Sequence, residues 1–189
     1  MKSVKNILLL LMVILTFSSC EKDDPRPDYY YKFKVNGVQK EFKGNKDANI
    51  VFIEDPNSNN RFTIFTFVTG NDPTKNAIVI SLRTTVTPEY GVKYEMQNPI
   101  IINNQVVPLL AFIYLDENGK EYGATLLQSQ HPGAMDDGSL MLTELTTEGS
   151  FGTFQAVTFD ANQTGELSQR QPLNITDGEF FMPNLVSLR

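Results

Sequence analysis

The chain has 189 residues, a formal net charge of −6, one cysteine, one histidine and no tryptophan. A lone cysteine excludes an internal disulfide, and a lone histidine excludes a multi-histidine zinc site. The acidic balance argues against nucleic acid and against docking on anionic surfaces by charge.

The chain opens with Lys2 and Lys5, followed by an apolar run of eleven residues from Ile7 to Phe17. That is the length of a signal-peptide core, well short of the about 20 apolar residues a bilayer-spanning helix needs. Phe17-Ser18-Ser19-Cys20 comes next, with small residues directly before the cysteine. The segment resembles the lipobox of bacterial lipoproteins, with Phe17 standing where leucine is usual. The resemblance implies cleavage before Cys20, a diacylglycerol on its thiol and acylation (a palmitate-type chain) of its amine. Two or three chains make a durable anchor, at about 0.8 kcal/mol per buried CH₂. Lipidation consumes the thiol, which removes cysteine as a nucleophile or ligand. Residues 1–19 therefore read as signal peptide, 20–28 as lipidated tether and 29–189 as a single β domain.

Glu21-Lys22-Asp23-Asp24 resembles the lysine-plus-acidic-pair export signal of Bacteroidota-type lipoproteins, which implies the cell-surface face of the outer membrane. The same charges, with Pro25 and Pro27, suit a plain solvated tether, and the periplasmic face stays open as the alternative. Fully extended, residues 21–28 reach roughly 25 Å. The mature chain keeps 170 residues, and loss of the two leader lysines shifts its charge from −6 to −8. A domain of this size buries roughly 70% of its unfolded surface and needs neither disulfide nor metal to fold.

Tyr29 to Lys43 reads as a hairpin about Asn36-Gly37, a type I′ turn in which both central residues take positive φ. That turn sets Val35 opposite Val38, Phe33 opposite Lys40 and Tyr31 opposite Phe42 on one face. The other face sets Lys32 against Glu41, a cross-strand charge pair, and Lys34 against Gln39. Ile50 to Ile53 is a short strand. Phe62 to Val68, Ala77 to Leu82 and Leu109 to Leu115 are apolar on both faces and read as covered central strands. Asp116 to Lys120 is a hairpin tip with Asn118-Gly119 as its turn, leading into Tyr122 to Leu127. Ser129 to Gly138 is a loop, Leu140 to Leu145 a strand and Asp160 to Pro172 a loop. Gly152-Thr153-Phe154 is echoed by Gly178-Glu179-Phe180, and a glycine inside a strand marks a bulge or a close backbone approach. About ten short strands with turns between them and no alternating helices give an all-β fold, an antiparallel β-sandwich or partly closed barrel.

The opening Val35-Asn36-Gly37-Val38 hairpin before Phe42, the Gly149-Ser150-Phe151-Gly152-Thr153-Phe154 segment and Ile175-Thr176-Asp177-Gly178-Glu179-Phe180 together resemble an uncharacterised family of Bacteroidota outer-membrane lipoproteins. Those close a β domain with a Gly-x-Phe and Ile-Thr-x-Gly-x-Phe pair of strands. The resemblance implies a fold and an envelope address and brings no catalytic residues.

Other constellations are weak. His131 has no second histidine to work with, and no Gly-x-Ser-x-Gly elbow accompanies it; an exposed loop histidine is the plainer reading. Asp160-Ala161-Asn162-Gln163-Thr164-Gly165 matches half of a calcium loop, but Gln171 stands where the bidentate carboxylate belongs. Asp136 and Asp137 beside His131 form the densest polar cluster on a predicted loop, and a solvated loop explains them. Tyr29-Tyr30-Tyr31, Tyr90 and Tyr94 offer rings for sugar stacking, although strand tyrosines are commonly half-buried. The expectation is a non-enzymatic, outer-membrane-anchored binding or envelope-support module without cofactor. The alternatives are a surface glycan hydrolase working through carboxylates of loops 129–138 or 160–172, and a periplasm-facing structural subunit of an envelope complex. The expected partners are the membrane through Cys20, and a glycan or protein ligand.

Overall fold

A computed structural model describes residues 28–54, 60–102, 104–127, 135–163 and 170–186. They form fourteen strands, with no α-helix among the described residues. The first five are β1 (Tyr30–Val35), β2 (Val38–Lys43), β3 (Asn49–Glu54), β4 (Arg61–Phe67) and β5 (Ala77–Thr84). Three short ones follow, β6 (Lys93–Glu95), β7 (Ile100–Ile102) and β8 (Gln105–Val107). The rest are β9 (Leu110–Leu115), β10 (Glu121–Ala124), β11 (Asp137–Leu145), β12 (Ser150–Asp160), β13 (Leu173–Met182) and β14 (Asn184–Val186).

The opening hairpin forms in the register its turn dictates. Asn36 and Gly37 sit at φ 47° and 85°, and Val35 faces Val38, Phe33 faces Lys40 and Tyr31 faces Phe42. Tyr31 and Phe33 are fully buried. Two details differ from expectation. Val38 is 63% exposed, because β2 is the outermost strand of its layer. Lys32 faces Glu41 in register, but its ammonium pairs instead with Glu179 of β13 at 3.0 Å.

The strands make two layers. One runs β2-β1-β13-β12-β11-β6 and the other β14-β3-β4-β5-β9-β10, with neighbours antiparallel except β14 and β3. The last two residues of β12 leave the first layer and pair with β10, Asp160 with Tyr122 and Phe159 with Gly123, which joins the layers at a corner. Pro183 carries the chain from β13 across to β14 in the other layer. The ends of this path do not pair with each other, so the fold is an open sandwich and not a closed barrel.

Ring contacts show how the layers cross. Along β1, Tyr31 meets Phe67 of β4 at 5.7 Å and Phe33 meets Tyr114 of β9 at 5.6 Å. Successive inward residues of one strand thus touch strands two apart in the facing layer, so β1 lies across β4, β5 and β9. This is the orthogonal class of sheet packing, in which strands that switch layers make the corners. Phe154 and Phe180 complete the ring cluster, the latter 4.8 Å from Phe67. The large side chains of the central strands β4, β5 and β9 are fully buried only on this inner face. Ile64, Val79 and Ile113 on the outer face are half-buried, so the cover expected on both sides is complete only on the inner one.

The repeated Gly-x-Phe has a packing cause. β12 and β13 pair so that Gly152 faces Phe180 and Gly178 faces Phe154. A Cβ on Gly152 would overlap the Phe180 ring and stand 2.6 Å from the Met141 carbonyl oxygen. A Cβ on Gly178 would overlap the Phe154 carbonyl oxygen and stand 2.6 Å from that ring. Each glycine makes room for the other motif's ring.

Candidate functional site

A bulge in β13 builds the site. Between Lys32 and Lys34 of β1 there is one residue, while their partners Glu179 and Thr176 are separated by two, Asp177 and Gly178. On the other side, Phe154 and Ala156 of β12 also enclose one residue while Gly178 and Ile175 enclose two. The extra residue is taken up around Asp177, which sits at φ 52° in the left-handed region, uncommon for a residue with a side chain. Where β13 kinks, the outer face of β11–β13 is no longer flat.

Two hollows result. One of about 260 Å³ is lined by Lys93, Ser139, Met141, Thr153, Gln155 and Asp177, among others. The second, of about 180 Å³, is lined by Asp137, Gln155, Val157, Asn174 and Thr176 among others. Gln155 belongs to both, so they form one trough across three strands.

Three of the charges along this trough, those of Lys93, Asp177 and Glu179, are matched within the protein. Lys93 pairs with Glu95 at 2.7 Å, and Asp177 with Lys34 at 2.8 Å. Glu179, next on the same face, accepts from Lys32 at 3.0 Å and from the Tyr30 hydroxyl at 2.5 Å. These hydrogen bonds hold the Glu179 carboxyl below its ordinary range. Burial, then the hydrogen bond to Glu179, pushes the Tyr30 phenol up to about 12. The Asp137 carboxylate accepts from the Gly138 amide at 2.8 Å.

Neutral polar side chains here are differently placed. Ser139, Thr153, Gln155, Asn174 and Thr176 make no side-chain hydrogen bond among the described residues. Ser139 is only 7% exposed, yet lines the first hollow.

Most residues singled out in the sequence fall elsewhere. Cys20, Glu21, Lys22, Asp23 and Asp24 lie outside the described residues, as do His131, Thr164 and Gly165. Asp136, expected on a solvated loop, is fully buried. Its two carboxylate oxygens accept from the Thr125 amide at 2.7 Å and the Leu127 amide at 2.8 Å. Leu126, between those amides, sits at φ 62°. Two successive donors around a left-handed residue form a small anion nest, and here the protein fills it with its own carboxylate. Asp160 pairs with Lys120 at 2.8 Å and accepts from the Asn162 amide at 2.9 Å. The Lys120 hydrogen bond draws its carboxyl below the usual range. No group of three metal-type ligands occurs among the described residues.

The tyrosines are working parts of the fold. Tyr29 and Tyr31 are buried, and Tyr29 donates to the Glu148 carbonyl at 2.8 Å. Tyr90 shares a hydrogen bond of 2.7 Å with Ser150, and the Tyr94 hydroxyl accepts from the Glu89 amide. Sequence reading missed the trough. Of the residues singled out in the sequence, Asp137 does line the second hollow, and Thr176-Asp177-Gly178, turn-formers set inside a strand, mark the bulge but not the strands beside it. Comparison with protein-family models, curated proteins and solved structures found no match to this chain.

Proposed function

We propose that this chain is a non-enzymatic binding domain, held at the outer membrane by lipid on Cys20, with the trough on β11–β13 as its ligand site. The observation that carries this reading is the bulge at Asp177, which opens a recess across β11–β13 and surrounds it with unengaged polar side chains. Bulges of this kind re-aim side chains next to sites. The hydrolase alternative is less well supported, because Asp136 and Asp160 on its two loops are committed to backbone amides and to Lys120. The address rests on Lys2 to Asp24, whose pattern points to the cell-surface face.

A second reading, an envelope-assembly subunit, is favoured by four exposed apolar residues. Val86, Ile101, Val106 and Met135 are between 57% and 78% exposed. They flank the ends of β5, β9 and β10, at the opposite end of that layer from the turn joining β9 to β10.

Two variants test these readings. Thr153→Arg with Gln155→Arg fills the trough from exposed positions, so the domain should keep its Tm while losing whatever envelope or extracellular material the native protein retains on a column. Unchanged retention rejects the trough. Cys20→Ser should leave the domain folded and release it from the membrane fraction; a variant that still pellets after a carbonate wash rules out the lipid anchor.

A further inference from the structure

We propose that the trough takes an uncharged, polyhydroxylated chain, a neutral glycan, which rests on the reading of the trough as the ligand site. The argument is one of which groups are free. Among the described residues Lys93 is the one cation lining the hollows, and it is matched by Glu95 at 2.7 Å. Asp177 and Glu179 are matched by Lys34 and Lys32 at 2.8 and 3.0 Å. An anionic ligand would find no unpaired cation and would face the field of an acidic domain. A cationic ligand would have to displace a lysine to reach Asp177 or Glu179, and only Asp137 in the second hollow, held by the Gly138 amide, has no ion pair among the described residues.

Apart from the Asp137 carboxylate, the groups left free are neutral. Ser139, Thr153 and Thr176 offer hydroxyls that donate and accept, and Gln155 and Asn174 offer amides that do both. Together they span β11, β12 and β13 on one face. A hydroxyl-rich ligand also donates and accepts at every position, so it can satisfy such a set without bringing charge. A peptide is a poorer match. Strand addition needs a free sheet edge, but β12 is paired on both sides, with β11 and with β13. Apolar anchoring would rest on little more than Met141 and Val157.

The test is affinity electrophoresis and calorimetry of the detergent-solubilised mature lipoprotein. The probes are neutral polymers (dextran, mannan, galactan, arabinan), acidic ones (polygalacturonate, chondroitin sulfate) and a casein peptide digest. The expected result is binding to at least one neutral polymer, unchanged between low and high salt because no ion pair is screened. That binding should weaken about tenfold in Gln155→Ala, the residue shared by both hollows. Binding confined to the acidic polymers or the peptides, and lost in Gln155→Ala, overturns the neutral-glycan inference and leaves the trough as a binding site. Binding that Gln155→Ala and the Thr153→Arg/Gln155→Arg variant both leave intact overturns the trough itself.

Discussion

Gly152→Ala and Gly178→Ala are each expected to destabilise the domain by about 3 kcal/mol, read as a fall in Tm of roughly 10 °C. Two opposing effects decide the sign. Replacing glycine by alanine restricts the unfolded chain and by itself stabilises by about 0.4–1 kcal/mol. Against that stands steric overlap at a seam where β12 and β13 interlock. The new methyl of Gly152→Ala would enter the Phe180 ring and stand 2.6 Å from the Met141 carbonyl oxygen. A ring can turn away, but a carbonyl held in the β11–β12 ladder cannot, so overlap outweighs the entropy gain. Phe180→Leu placed on Gly152→Ala should therefore recover only part of the loss. Thermal unfolding of the three proteins decides it, and a Gly152→Ala Tm within a degree or two of the native value would mean the strands do not lie this close.

Asp136→Ala is expected to lower stability by about 2–4 kcal/mol, measured by urea unfolding. The carboxylate is fully buried and accepts from the amides of Thr125 and Leu127. Alanine leaves both donors without that acceptor, each at a cost of about 1–3 kcal/mol. Release of Leu126 from a left-handed conformation, which such a residue resists by about 1–2 kcal/mol, offsets part of that cost. Asp136→Asn should fall between the two, because its amide oxygen accepts from one N–H while its NH₂ faces the other. An Asn variant as damaging as Ala would mean that charge, more than the number of acceptors, holds the nest.

The parts of this fold legible in the sequence are those fixed by local chemistry. Asn36-Gly37 specifies its own turn, and the turn fixes all six pairs of β1 with β2. The β9–β10 tip was legible for the same reason. Gly119 sits at φ 80°, and the Asp116 carboxylate accepts from the amides of Asn118 and Lys120. The apolar runs of β4, β5 and β9 mark strands but cannot say how much covers their second face. The three-residue strands β6, β7, β8 and β14 escaped notice because each is defined by a partner distant in sequence or by a single short pairing. β14 is the extreme case, a parallel partner for β3 across more than a hundred residues.

For the site, the balance is reversed. The anchor residues are readable because a signal peptide is recognised along the chain, with no tertiary partner. The trough is not, because it exists only where the β13 bulge lies beside β12 and β11. The Gly-x-Phe echo was visible as a pattern, but its meaning depends on a register that sets each glycine against the opposite ring. Asp136 was misjudged because a run such as Met135-Asp136-Asp137-Gly138 has loop composition, and nothing local shows that one carboxylate turns inward to the amides beside Leu126.

The most direct measurement is methionine footprinting of the native protein with and without the material it retains. Met96 and Met182 are fully buried, Met135 is 78% exposed, and half-buried Met141 lines the trough. Oxidation to the sulfoxide follows exposure and is read by mass spectrometry. A ligand in the trough should slow oxidation of Met141 and leave Met135 unchanged. Protection of Met135 with Met141 unaffected would place the contact at the apolar end of the sandwich and contradict the trough as the binding site.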